Sequence, residues 1–235
     1  MLLKNKICCI ITARKNSKGL PNKNLKKING KPLIYYPIKA ALKSKYIDEV
    51  FFNSDSIEMI KKAKSFGAIV NFIRPKRLSK SNTKSVDVLI HHINRENIDK
   101  KYHFILLLEP TSPLTNFKDI DKSIRKLIKN SNIADSLLSV SDGTVPNSNL
   151  KFKAKNNFLY PTEKKKYYTT RRQDFPKNYF IDGSLYLSKV KTLKKFKSFV
   201  QKRTMFILMD KYKMFQIDDV IDFKIIEVLM KKFKN

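Results

Sequence analysis

"KICCIITARKNSKGLPNKN", residues 6–24, is the stretch on which the fold turns. Its first part, "KICCIIT" (6–12), is a short continuous apolar run, the pattern of a strand buried on both faces of a parallel sheet. The run stops abruptly, and Arg14, Lys15, Lys18 and Lys23 follow around a single glycine and a single proline. Like charges on a short turn repel, so the loop calls for an anion. Gly19 lets the backbone approach a ligand closely. Backbone N–H groups at such a turn can cradle phosphate. Arg14 can hold phosphate oxygens bidentately, while Lys18 and Lys23 act as point charges. Neither G-x-x-x-x-G-K-[ST] nor G-x-G-x-x-G is present, so this is neither a Walker loop nor a dinucleotide fingerprint.

Outward from that strand, helix and strand patterns alternate. "GKPLIYYPIKAALKS" (30–44) reads as a helix with Pro32 in its first turn, and "DEVFFNS" (48–54) as a second strand. Asp55 is placed to cap the next helix, with Glu58 three residues on, and Gly67 to end it in the left-handed conformation. "AIVNFI" (68–73) reads as a third strand, "SVDVLIHHINRE" (85–96) as a helix and "YHFILLLE" (102–109) as a fourth strand. "NFKDIDKSIRKLIKN" (116–130) is helical and "ADSLLSV" (134–140) a fifth strand. The rhythm predicts a doubly wound, mainly parallel α/β sheet. It breaks over 141–180, a segment rich in Asn, Lys and Tyr that suits a hairpin excursion or a dimerisation arm. "YFIDGSLYLSK" (179–189), with Gly183 at its start, and "TMFILMD" (204–210) restore strands, and 220–234 forms a final amphipathic helix. One domain over 1–235 with a protruding arm is the simplest organisation.

Open parallel sheets bind ligands beyond the carboxyl ends of their strands. The clusters "ARKNSKGLPNKN", "NSD" (53–55), "RPKRLSKSNTKS" (74–85), "EPTSPLT" (109–115) and "SDG" (141–143) follow strands one to five, so all share that edge. The loops of the opposite edge, such as "KSFG", are plain by comparison.

A chain of 235 residues, 42% of them hydrophobic, supports one well-buried core. No window approaches 18 uninterrupted apolar residues, so no membrane span is expected. The N-terminal apolar stretch is short and runs straight into the cationic loop, so it reads as the first strand and not as a leader. Cys8 and Cys9, the only cysteines, should point to opposite sheet faces and suit a reducing cytoplasm. The formal charge is +30, from 50 Lys and Arg against 20 Asp and Glu. Such an excess raises a nucleic-acid-binding module as a rival reading. The lysines are spread along the whole chain, and abundant Lys, Asn and Ile without Trp fit AT-rich coding, so compositional drift accounts for the charge better.

Together, "ITARKNSKGLPNKNLKKINGKPLIYYPI", "EPTSPL", "RRQD" and "DGSLYLSK" resemble the CMP-sialic acid synthetases, the acylneuraminate cytidylyltransferases, with their legionaminic and pseudaminic relatives. The resemblance covers nearly the whole chain. It implies a Rossmann-like nucleotidyltransferase, cytoplasmic and a homodimer, with 141–180 as the arm that reaches the partner. It implies transfer of CMP from CTP to the anomeric hydroxyl of a nine-carbon 2-keto sugar acid, releasing pyrophosphate, with Mg²⁺ (or Mn²⁺). By position, Lys23, Arg171 and Arg172 would be catalytic. Arg14, Lys18, Asn24, Arg74, Thr83 and Ser85 would bind the nucleotide. Glu109, Ser112, Gln173 and Asp182 would meet the sugar. Asp218 would hold the metal, its alternative role being to cap the final helix. The chain departs from the family pattern in having Glu109 where Gln is usual, Asp182 in a "DG" for "NG", and Gln216 for the first acid of a "D-I-D" pair.

Within nucleotide-sugar chemistry the rivals are a glycosyltransferase or another nucleotidyltransferase. No zinc or RNA-binding signature is present, and His91, His92 and His103 lack the spacing of metal ligands, so they read as ordinary helix and strand residues.

Overall fold

A computed structural model describes residues 5–17, 19–142 and 178–233, with the backbone of 152–155 and 158–161. The apolar run becomes β1 (Ile7–Ala13), almost wholly buried. A small hairpin of β2 (Lys27–Ile28) and β3 (Lys31–Pro32) follows, then α1 (Tyr35–Lys43). Pro32 therefore sits in the hairpin and not in the helix; Pro37 occupies the first turn, where a missing N–H costs nothing. Next come β4 (Glu49–Ser54) and α2 (Ile57–Ser65). The cap of α2 is Ser56, whose hydroxyl accepts from the Met59 N–H, and not Asp55. The Asp55 carboxylate is engaged elsewhere, by the Lys15 N–H at 2.8 Å. Gly67 takes the predicted positive φ, +102°, just past the helix.

The expected third strand does not form. Ile69 makes a single parallel bridge to Phe51 at the sheet edge. The chain then swings across the end of β4, where the Arg74 N–H donates to the Ser54 carbonyl at 2.8 Å. A ladder would have needed the segment to continue along β4; Arg74 takes it across the strand end.

The remaining elements are α3 (Ser85–Glu96), the one-turn α4 (Ile98–Lys101), β5 (Phe104–Leu108), α5 (Phe117–Lys129), β6 (Ser136–Asp142), the antiparallel pair β7 (Phe152–Lys155) and β8 (Phe158–Pro161), β9 (Tyr179–Lys189), α6 (Val190–Phe196), β10 (Thr204–Leu208) and α7 (Val220–Lys232). Six strands form the central sheet in the order β10-β6-β9-β5-β1-β4. Only β9 runs antiparallel, to β5 and β6 on its two sides. Gly183, placed by sequence at a strand start, lies inside β9 with φ +72°, in a bulge opposite Ser139.

Alternation along β1 divides the core. Ile7, Cys9 and Ile11 pack with α1, α2 and α5 on one face. Cys8 and Ile10 pack with Leu89 and Ile93 of α3 and Val190 and Leu193 of α6 on the other. Both thiols are free and buried, and desolvation raises their pKa values well above the ordinary thiol range. A third cluster seats α7, through Ile226, on Leu20 of the first loop, Ile28 and Ile217. That packing brings 216–218 over the carboxyl ends of the strands. No described helix is long and apolar enough to cross a membrane.

Candidate active site

The loops after β1 and β5 and the segment after β4 meet residues 216–218 around a cleft of about 430 Å³. Arg14, Gly19, Lys23, Asn24, Arg74, Thr83, Ser85, Glu109, Gln216 and Asp218 line it. A roomier cleft, about 860 Å³, lies among Tyr35, Tyr36, Phe117 and Phe233. Size does not choose between them; the convergence of charged loops at the strand ends does.

The first loop is braced from several sides. Arg14 Nη1 donates to the Lys80 carbonyl at 3.1 Å, and Asn24 Nδ2 donates to the Arg14 carbonyl at 3.1 Å. Gly19 lies against residue 218, where a Cβ would overlap the Asp218 carbonyl. Lys23 opens a 3₁₀ turn and sends its ammonium to the Ile217 carbonyl at 2.6 Å and to Asp218 Oδ1 at 3.2 Å.

Arg74 is the most deeply set cation of the cleft, 5% exposed. Its Nε donates to Asn53 Oδ1 at 2.6 Å, and its Nη2 to the carbonyls of Asn53 at 2.5 Å and Ala13 at 3.3 Å. Desolvation, helped by Arg14 and opposed by Asp55, lowers its pKa to about 10, so it stays cationic at neutral pH.

The oxygen donors share the cleft with these cations. Glu109 accepts from the Ser85 hydroxyl at 3.1 Å. Burial raises its pKa above the usual carboxylate range, with Ser85 and Lys23 lowering it in part and Asp218 raising it. Gln216 Nε2 donates to the Asp182 carbonyl, and Gly183 is needed beside it because a Cβ would overlap the amide. Asp218 has a highly exposed side chain and is not the cap of α7. Asp219 caps it, accepting from the N–H groups of Ile221 and Asp222 in a reciprocal capping box.

Ser112 and Asp182 are not among the described residues lining the cleft. Ser112 is buried and donates to the Gly183 carbonyl at 3.3 Å. The Asp182 carboxylate is taken up inside the β9 bulge by the hydroxyls of Ser139 (2.5 Å) and Ser141 (2.9 Å) and the Ser184 N–H. Lys18, Arg171, Arg172 and Gln173 lie outside the described residues, as does most of the 141–180 segment. Sequence reading passed over Lys80, Thr111 and the Asn53–His92 pair. Asn53 stood in the "NSD" cluster, but nothing in the chain's local pattern ties it to a histidine 39 residues on.

From residue 8 to residue 229 the chain matches the cytidylyltransferase family. It belongs to that family. A pseudaminic acid cytidylyltransferase of Campylobacter jejuni (strain 81-176) is 34% identical, the alignment covering 76% of each chain. A CMP-N,N'-diacetyllegionaminic acid synthase of Campylobacter jejuni (strain NCTC 11168) is 32% identical over 95% of this chain and 94% of the relative. The fold is also that of a solved CMP:2-keto-3-deoxy-manno-octonic acid synthetase complexed with CTP, with a TM-score of 0.69 at 15% identity, covering 97% of this chain and 99% of that one. Arg14, Lys23 and Arg74 bring three positive charges to one space, which they share with the hard oxygen donors Glu109, Gln216 and Asp218.

Proposed function

We propose that this cytidylyltransferase transfers CMP from CTP to the anomeric hydroxyl of a nine-carbon 2-keto sugar acid. The observation that carries the reading is the cleft itself: the buried guanidinium of Arg74 and the ammonium of Lys23 face the same space as Glu109. In the reaction the sugar hydroxyl oxygen bonds to the α-phosphorus. The bond from that phosphorus to the bridging oxygen breaks, pyrophosphate leaves with the electron pair, and the hydroxyl proton is lost. Catalysis of this kind is positioning plus charge stabilisation. Arg14 and Arg74 would hold the nucleotide, and Thr83 and Ser85 would border the base. Lys23, with Lys18, Arg171 and Arg172 outside the described residues, would neutralise developing charge. Glu109 and Gln173 would meet the sugar.

Among the described residues no group of three or more His, Cys, Asp or Glu side chains is arranged to hold a metal ion. The donor set nevertheless fits Mg²⁺ or Mn²⁺, which commonly takes one or two carboxylates together with substrate phosphates. Asp218, exposed on the cleft wall beside the Gln216 amide, would hold the ion, whose contribution is to neutralise triphosphate charge. The names of relatives point to pseudaminic and legionaminic acids as well as neuraminic acid. A homodimer fits the apolar surface left by Tyr179, Phe180 and Ile181 of β9 with Phe206 and Leu208 of the edge strand β10. Free buried thiols fit a reducing cytoplasm.

The test is a panel of sialic, legionaminic and pseudaminic acids with CTP, UTP or ATP, assayed for pyrophosphate. CTP with one of the three acids should release it, and UTP and ATP should serve poorly. No release from CTP with any of the acids would overturn the reading.

A further inference from the structure

Arg74 is held by three acceptors, and one of them is itself held. Asn53 is 1% exposed, and its side chain has two different ends. Oδ1 accepts from Arg74 Nε, and Nδ2 lies 3.0 Å from Nδ1 of His92. Turned the other way, the amide would set Nδ2 against Arg74 Nε–H, two donors face to face. The orientation is therefore dictated, and His92 Nδ1 must accept, which puts the ring proton on Nε2. Nε2 is buried and has no hydrogen-bond partner among the described residues. The ring is wedged between Phe51 and Phe72, at centroid distances of 5.3 and 5.1 Å.

We infer that His92 is a positioning residue for the nucleotide. It holds the far end of the Asn53 amide, so that Oδ1 stays fixed on Arg74 Nε and the guanidinium keeps its place at the cleft. Nη1 makes no hydrogen bond among the described residues, whereas Nε and Nη2 are both engaged. The nucleotide role of Arg74 rests on the proposed function; the relay from His92 through Asn53 does not. A protonated imidazole would donate from Nδ1 and reverse the amide. Burial, with His91 and Arg74 nearby, holds the His92 pKa down to about 3, so the accepting form persists at neutral pH. α3 thus supports the cleft through a buried side chain that does not itself line it. An acceptor there costs desolvation, which apolar packing alone would have avoided.

The test compares His92→Leu, which removes the acceptor, with His92→Asn, whose carbonyl oxygen replaces Nδ1. The Kd for CTP should rise about tenfold in the leucine variant, the scale of losing one hydrogen bond to a charged group. The kcat at saturating CTP should stay within about twofold, as expected when binding and not chemistry is disturbed. His92→Asn should restore most of the affinity. Adding His92→Leu to Arg74→Lys should weaken CTP no further, since both act through one contact. Independently of any ligand, the Nε–H resonance of Arg74 should be resolved and protected in the wild type and in His92→Asn, and lost in His92→Leu. Should the leucine variant not fold, His92→Gln, whose amide reaches the Nε2 position, takes its place. An Arg74 Nε–H signal unchanged by loss of the acceptor overturns the relay. So does a CTP affinity that falls equally in the leucine and asparagine variants. If the wild type itself binds no CTP, the proposed function fails, and the Nε–H comparison still decides the relay.

Discussion

The two walls of the cleft are built on different principles. Arg74 is set into the end of the sheet, with two of its three nitrogens satisfied by β1, β4 and the Asn53 amide. Its position comes from the core, and a ligand has nothing to order there. Across the cleft, Lys23 is 12% exposed but Asp218 is 79% exposed, and one 3.2 Å contact joins them. An ion pair with one partner in water contributes little to stability. It can be opened by an incoming phosphate or cation at small cost. One wall is therefore preorganised, and the other is free to change partners during turnover.

The largest effect that follows belongs to the adaptable wall. Lys23→Ala should lower kcat at saturating CTP by a factor corresponding to about 2–4 kcal/mol, the scale of removing one donor that stabilises developing charge. Its unfolding midpoint should fall modestly, through the lost bond to the Ile217 carbonyl and not through the solvated Asp218 contact. Near-normal turnover would show that Lys23 serves only to tie down the Ile217 carbonyl, and the contrast between the walls would fail.

A smaller effect separates neighbouring aspartates. Asp218→Asn should raise the Mg²⁺ concentration needed for half-maximal pyrophosphate release and leave stability near wild type. Asp219→Ala should do the reverse, costing about 1 kcal/mol of stability through the lost cap while keeping the Mg²⁺ dependence. A Mg²⁺ titration beside urea unfolding of each variant checks both. An unchanged metal requirement in Asp218→Asn would place the ion elsewhere.

Glu109→Gln should give the smallest change in stability, with a clear sign. Burial raises the folded-state pKa of Glu109 above its unfolded value. The protonated form is then the favoured one in the fold, so its contribution is present below the unfolded pKa and lost as pH rises through the folded pKa. The glutamine variant should therefore be slightly more stable at neutral pH and lose that advantage in acid. Its ranking of sugar acids by kcat/KM should shift, since an amide donates where a carboxylate only accepts. Unfolding curves at two pH values and the sugar panel measure these outcomes. An identical ranking would remove Glu109 from the sugar side.

Much of this was legible before any coordinates. The continuous run in 6–12 marked a strand buried on both faces, and the full span of α3 was readable from its periodicity. The cationic loop was legible too, because Gly19 and its flanking charges lie within a few residues of one another. What failed was local competition. Asp55 and Ser56 are both good caps, and only the pull of Asp55 toward the Lys15 N–H left the role to Ser56. Asp218 and Asp219 posed the same choice, and the capping box with Asp222 decided it. Residues 68–73 have the composition of a strand, but pairing is a property of two segments, and the partner edge was used for one residue only.

By itself, then, the sequence determined the layered α/β order, the sheet edge that bears the cleft and the sign of charge gathered there. Periodicity and turn chemistry are written in neighbouring residues, and the strand-to-loop rhythm puts every such loop on one edge. Only the tertiary structure decided how each group is held. It turned β9 antiparallel between β5 and β6, and withdrew Asp182 into a bulge behind the cleft. It set His92 behind Asn53, and Asn53 behind Arg74, through contacts spanning 39 and 21 residues. Hydrogen bonds over such distances depend on how sheet and helix pack, and packing direction leaves no period in the chain.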